Sequence, residues 1–145
     1  MTNLTGSFSG HIKSQSAIAV PDQSGHDLSL AEVVGTQKSA DANWNNASLT
    51  YAGITDLIDG KGTQRGYFLN TRADGDRDWG TFEGRVTTVN GLLTVEGTYQ
   101  ETGGTGKFKG ITGNGTFKTR MTSPRDVEAT YQGTYQLAAA KAQAG

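Results

Sequence analysis

The carboxylate of Glu32 is the side chain in this sequence whose surroundings point most strongly to chemistry. With a period of two along residues 28–34, it shares a face with Leu28, Leu30 and Val34. An ionised carboxylate among apolar neighbours is costly unless it is paired or its pKa rises, and a raised pKa suits a general acid or base at neutral pH. Glu32 is therefore the candidate catalytic residue. The alternative is a structural ion pair with an arginine such as Arg65, Arg85 or Arg120.

The other motifs offer no metal or cofactor site. The glycine-rich run at 103–107 lacks the spacing of a phosphate loop, since no Ser or Thr follows Lys107, and it favours a hairpin turn. Residues 74–78 begin like a calcium loop, but the twelfth position is Arg85 where a bidentate Glu is required. His11 and His26 lie on different segments, so no imidazole-based metal site or catalytic triad is predicted. The simplest interpretation of His26 is an ordinary surface histidine.

Composition sets limits on the partners of the chain. The formal net charge is -1 and no basic stripe is present, which argues against nucleic acid. The absence of cysteine excludes disulfides, thiol nucleophiles and cysteine-based zinc sites. No apolar run approaches the ~18 residues of a membrane-spanning helix. No signal peptide is visible at the N-terminus, so a cytoplasmic location is the default expectation, and a trimmed exported form would look the same.

Glycine accounts for 21 of the 145 residues, and the glycines are spread singly between apolar and aromatic residues. Along most of the chain, apolar and polar residues alternate with a period near two. This pattern predicts many strands and turns. Asp74–Gly75 and Asn90–Gly91 are strong hairpin turns, because their residues tolerate positive φ. Glycines at 110, 113 and 115 predict a kink or bulge in the seventh strand. The eight predicted strands are 5–14, 28–38, 47–57, 64–71, 79–88, 92–100, 107–121 and 127–137.

Eight strands with one apolar and one polar face, joined by short turns, predict an all-β domain over residues 1–137. The expected architecture is an eight-stranded closed antiparallel barrel, and a β-sandwich is the alternative. A barrel of this size holds one small ligand. Residues 138–145 are expected to form a short helix or a disordered tail.

Two segments, GLLTVEGTY at 91–99 and TGGTGKFKG at 102–110, resemble the C-terminal half of the allene oxide cyclase-like barrels. That superfamily includes plant dirigent proteins and small bacterial barrels. The resemblance extends more loosely over strands two and three. It implies an eight-stranded barrel with an apolar cavity that acts on or guides a hydrophobic small molecule, and a homo-oligomer, either trimer or dimer.

Laid against the cyclases, Glu32 falls on their catalytic glutamate, whereas Val34 and Thr50 stand where the family has asparagines. The resemblance thus implies a cofactor-independent isomerase, cyclase or lyase in which Glu32 moves a proton or stabilises a cation. Two alternatives remain, a non-catalytic or dirigent-like binder of a hydrophobic ligand and an assembly protein with a filled barrel. The predicted ligand-contacting residues are Leu30, Val34, Thr50, Tyr67, Phe68, Trp79 and Tyr99.

Overall fold

The computed structural model describes residues 1–138, which contain a closed barrel of eight antiparallel strands. The predicted closed barrel is confirmed and the β-sandwich alternative is wrong. Residues 139–145, most of the predicted tail, lie outside the described residues. The strands are β1 (Thr2–Ala19), β2 (His26–Ser39), β3 (Ser48–Ile58), β4 (Lys61–Thr71), β5 (Arg77–Val89), β6 (Leu92–Gly104), β7 (Thr112–Met121) and β8 (Asp126–Gln136).

Each strand pairs with the next, and β1 closes the barrel by pairing with β8 from Thr2↔Tyr135 to His11↔Asp126. The predicted Asn90–Gly91 turn is confirmed, since both residues have positive φ, 54° and 79°, as a type I′ turn requires. Asp74–Gly75 instead lies in a longer connection between β4 and β5, in which Gly75 has positive φ.

The seventh strand differs from its prediction. It begins at Thr112, because the preceding chain forms a 3-10 helix at Gly106–Phe108. The bulge expected there is wrong, since β7 pairs without a register shift, and the shifts lie at Ile12/Ser14 in β1 and Trp79/Gly80 in β5. Gly115 makes room for a ring instead, because a Cβ at this position would lie 2.6 Å from the Tyr99 hydroxyl.

Aromatic rings fill much of the barrel interior in edge-to-face contact. One series runs from Phe8 through Tyr51 to Phe82, with ring centroids 6.0 and 5.5 Å apart. A second runs from Phe68 through Tyr99 to Tyr131, at 6.0 and 6.5 Å. Such pairs stabilise by about 0.5–1.5 kcal/mol each beyond the area they bury.

The two ends of the barrel are built differently. One end, here called the loop end, gathers the connections 40–47, 72–76 and 105–111, and the other, here called the turn end, gathers 20–25, 59–60, 90–91 and 122–125. At the loop end Trp44 and Phe108 are fully buried with Leu4, Ile111 and Tyr135. These side chains close that end with an apolar cluster. No helix within residues 1–138 is long and apolar enough to cross a membrane.

Candidate functional site

A cavity of about 100 Å³ lies inside the barrel. A water molecule takes up about 30 Å³ of liquid, so this space holds roughly three waters, and an engineered apolar cavity of about 150 Å³ takes benzene. The cavity is thus the size of a small ring rather than of a long lipid. Its walls are mostly apolar and include the side chains of Phe8, Leu49, Tyr51, Phe82, Phe117 and Ala129.

Beneath the cavity, towards the loop end, lies a buried polar network. Gln37 Nε2 donates to Asn70 Oδ1 at 2.8 Å, and Asn70 Nδ2 donates to Asp78 Oδ2 at 3.0 Å. The second Asp78 oxygen is paired with the Arg72 guanidinium, and the Asp78 side chain is 0% exposed. Both carboxylate oxygens of Asp78 therefore have partners, and a cation balances its charge.

The Arg72 guanidinium is held from several sides. Its Nε donates to the carbonyl of Asn43 at 2.7 Å. Its central carbon lies 3.8 Å from the Phe108 ring centroid and 4.9 Å from that of Trp44. A cation stacked on aromatic faces is stabilised by the ring quadrupole, so the loop-end cluster fixes the counter-ion of Asp78.

Glu101 joins this network to the cavity. It is 7% exposed, it lines the cavity, and it shares a side-chain hydrogen bond with Asp78. Burial, and then the negative charge of Asp78, raise the pKa of Glu101 far above its ordinary value of 4.5. Glu101 is therefore a neutral carboxylic acid at pH 7. Because an ionised Asp78 can only accept, Glu101 donates its proton to Asp78.

Three buried polar atoms on the cavity wall have no hydrogen-bond partner within residues 1–138: Glu101 Oε2 and the hydroxyls of Tyr99 and Tyr131. Burial raises the pKa of Tyr99 to about 12, and the negative charge of Asp78 adds to this effect. Burial also raises the pKa of Tyr131. Both phenols therefore stay protonated at neutral pH and keep a proton to donate.

The structure places Glu32 on the outer face of β2. Its Oε1 lies 3.7 Å from Lys13 Nζ, its side chain is 38% exposed, and it does not line the cavity. The buried face of β2 carries Val33 and Gln37, in the opposite phase. The observed partner is thus Lys13 rather than an arginine, and a catalytic role for Glu32 stays a prediction about a surface carboxylate.

The structure divides the predicted ligand-contacting residues. Phe68 and Tyr99 line the cavity. Leu30 and Tyr67, which are 53% and 72% exposed, lie in a groove on the outer surface of the barrel. The remaining three are not cavity-lining: Val34 and Thr50 pair with each other across β2 and β3, and Trp79 is partly exposed beside Gly103.

Sequence reasoning missed Glu101, Tyr131, Asp78 and Arg72 as candidate site residues. Val95, Tyr99 and Glu101 share one face of β6, because they are separated by even numbers of residues. That spacing could have placed Glu101 inside the barrel.

His26 lies at the turn end, away from this network. Its Nδ1 is 2.6 Å from Asp22 and its Nε2 is 2.6 Å from Asp56. Hydrogen bonds to Asp22 and then to Asp56 raise its pKa above 6.5. In the part of the chain that the structure describes, no group of three or more His, Asp or Glu side chains is arranged to hold a metal ion.

No protein-family model, curated protein or solved structure matches this chain. These comparisons leave the resemblance to allene oxide cyclase-like barrels as a prediction.

Proposed function

We propose that this barrel binds a small, mostly apolar molecule in its interior cavity. The cavity lined by aromatic rings is the observation that carries the proposal. A ligand that fills this space makes dispersion contacts with the rings around it, and these contacts favour its binding.

Size narrows the choice of ligand. Pockets for drug-sized molecules span about 300–1,000 Å³, well above the 100 Å³ observed here. The cavity has about two thirds of the volume of the engineered cavity that takes benzene, so one six-membered ring is the largest ligand that we expect it to hold. We therefore expect ligands of that size, and not long-chain lipids, to bind the barrel as it stands.

Toluene titration followed by thermal unfolding tests this proposal. A ligand that binds only the folded state stabilises it by about 2.7 kcal/mol at a hundredfold excess over its Kd. Ala129 lines the cavity, so Ala129→Leu fills part of the space and should abolish the stabilisation. Ala52→Leu adds the same atoms on the exposed face of β3 and should leave it unchanged.

Two results would contradict the proposal. The first is the absence of any stabilisation by toluene, which is what the filled-barrel alternative predicts. The second is equal stabilisation of the wild type and Ala129→Leu, which would place the ligand elsewhere.

The expected isomerase, cyclase or lyase activity stays a proposal, and in this barrel Glu101 supports it better than Glu32 does. Glu101 lines the cavity and its Oε2 has no partner among the described residues, so a ligand in the barrel would meet this carboxyl group and not the surface carboxylate of Glu32. Such chemistry would act on a ligand already held in the cavity, so it depends on the binding function.

A further inference from the structure

We propose that the cavity selects a ligand with one uncharged hydroxyl group, a small phenol or alcohol, held by Glu101, Tyr99 and Tyr131. This inference rests on the proposed binding function and names its ligand class. It starts from the three buried polar atoms on the cavity wall that lack a partner within the described residues. Buried polar groups in folded proteins are almost always hydrogen-bonded, so three such atoms around one cavity call for an occupant.

Glycines on three strands make room for the two phenol hydroxyls. A Cβ at Gly133 in β8 would lie 2.6 Å from the Tyr99 hydroxyl, as would one at Gly115 in β7. A Cβ at Gly6 in β1 would collide with the Tyr131 hydroxyl. The strand positions beside both hydroxyls therefore carry no side chain that could pair with them.

The available donors and acceptors match a hydroxyl better than a carbonyl. Glu101 gives its proton to Asp78, which leaves Oε2 as an acceptor. The tyrosine hydroxyls retain protons to donate. A ligand hydroxyl can donate to Glu101 and accept from a tyrosine, whereas a ketone could only accept and would leave Glu101 Oε2 unpaired.

The charge balance favours a neutral ligand. Asp78 is already paired with Arg72, and Glu101 carries no charge at neutral pH. Arg72 has an unpartnered Nη2 among the described residues, but it is not one of the side chains that line the cavity. The described side chains that line the cavity include no Lys or Arg to pair with an anion and no ionised carboxylate to pair with a cation.

Calorimetric titration of the protein with phenol and with toluene measures this selectivity, because phenol carries a hydroxyl group where toluene carries a methyl group. Two net hydrogen bonds favour phenol by about 25-fold, and the lost methyl burial disfavours it by about fourfold. We expect phenol to bind the wild type about five- to tenfold more tightly than toluene. Tyr99→Phe and Tyr131→Phe keep the rings and should together bring this ratio close to one.

Two further variants sharpen the assignment. Glu101→Gln keeps a carbonyl acceptor and a donor towards Asp78, so it should retain the preference for phenol. Tyr67→Phe removes an exposed hydroxyl on the outer surface and should leave both affinities unchanged.

Equal affinities of phenol and toluene for the wild type would overturn the hydroxyl inference and leave the binding function standing. A preference for phenol that survives in the Tyr99→Phe, Tyr131→Phe double variant would also overturn the hydroxyl inference. Tighter binding of benzylamine or benzoate than of phenol would overturn it as well. Failure of both phenol and toluene to bind would overturn the binding function and this inference together.

Discussion

Glutamine in place of Glu101 reproduces the shape and the hydrogen bonds of a protonated carboxylic acid but cannot ionise. Because burial and the charge of Asp78 raise the pKa of Glu101, the folded wild type keeps a proton that the unfolded chain releases. The free energy of unfolding of the wild type therefore contains a pH-dependent contribution that Glu101→Gln lacks.

The sign and the size of this pH-dependent contribution follow from the linkage between proton binding and folding. A raised carboxyl pKa contributes stability that is complete below its ordinary value of 4.5 and is lost as pH rises towards the folded-state pKa. The loss is about 1.36 kcal/mol per pH unit for one proton. Between pH 5.5 and 7.5 the wild type should thus lose about 3 kcal/mol relative to Glu101→Gln.

Urea unfolding of both proteins at half-unit steps across this range measures the difference directly. Groups that do not interact with Glu101 are common to both proteins, so they cancel in the difference. Glu96→Gln is the matched control, because it makes the same substitution at an exposed position. The Glu96 side chain is 66% exposed, and its Oε1 lies 3.6 Å from Lys118 Nζ in a surface ion pair. We expect its difference from the wild type to stay within about 0.5 kcal/mol at every pH.

Parallel pH profiles for the wild type and Glu101→Gln would refute this reasoning. They would mean that Glu101 is ionised in the folded barrel, and the donor and acceptor assignment at the cavity wall would fall with it. A slope difference of the opposite sign would contradict it equally.

Two predictions concern the ends of the barrel. Arg72→Met leaves Asp78 buried without its cation and should cost about 3–5 kcal/mol in urea unfolding, partly restored by Asp78→Asn; a loss below about 1 kcal/mol would contradict the pairing. His26, whose pKa is raised by Asp22 and Asp56, stabilises fully below pH 6.5, and this contribution fades as pH rises through the raised pKa. His26→Gln should therefore lower Tm more at pH 6 than at pH 9, and an equal loss would count against the charge pairing.

Local patterns predicted the barrel because strands and tight turns depend on neighbouring residues. The period of two and the Asn90–Gly91 pair act within single hairpins, and both reappear in the structure. The start of β7 was misplaced because Gly106–Phe108 turns into a 3-10 helix whose Phe108 packs in the loop-end cluster. That packing is a tertiary contact, which the local pattern does not contain.

The face of β2 could not be read from β2 alone. Its outer residues, including Leu30 and Val34, are more apolar than its inner ones, because Gly35 and Gln37 occupy the inner phase. Gln37 is satisfied there by Asn70 on another strand, a contact that only the closed barrel creates. Glu32 therefore belongs to the apolar pattern of β2 although its side chain lies on the outer face of the barrel.

The relation between Glu101 and Asp78 depends on register. The register shift between Trp79 and Gly80 places Gly80 opposite Glu101, and Asp78 lies two residues before Gly80 on the inner face. A single residue of slip would turn one of these carboxyl groups outward. The sequence contains both residues, but their pairing requires the bulge.

Intermolecular NOEs from toluene to the side chains of the protein test the central claim most directly. Binding inside the barrel predicts NOEs to Tyr51, Phe117 and Ala129, which line the cavity and not the outer groove. NOEs confined to Leu30 and Tyr67 would place the ligand in the outer groove and contradict an interior binding site.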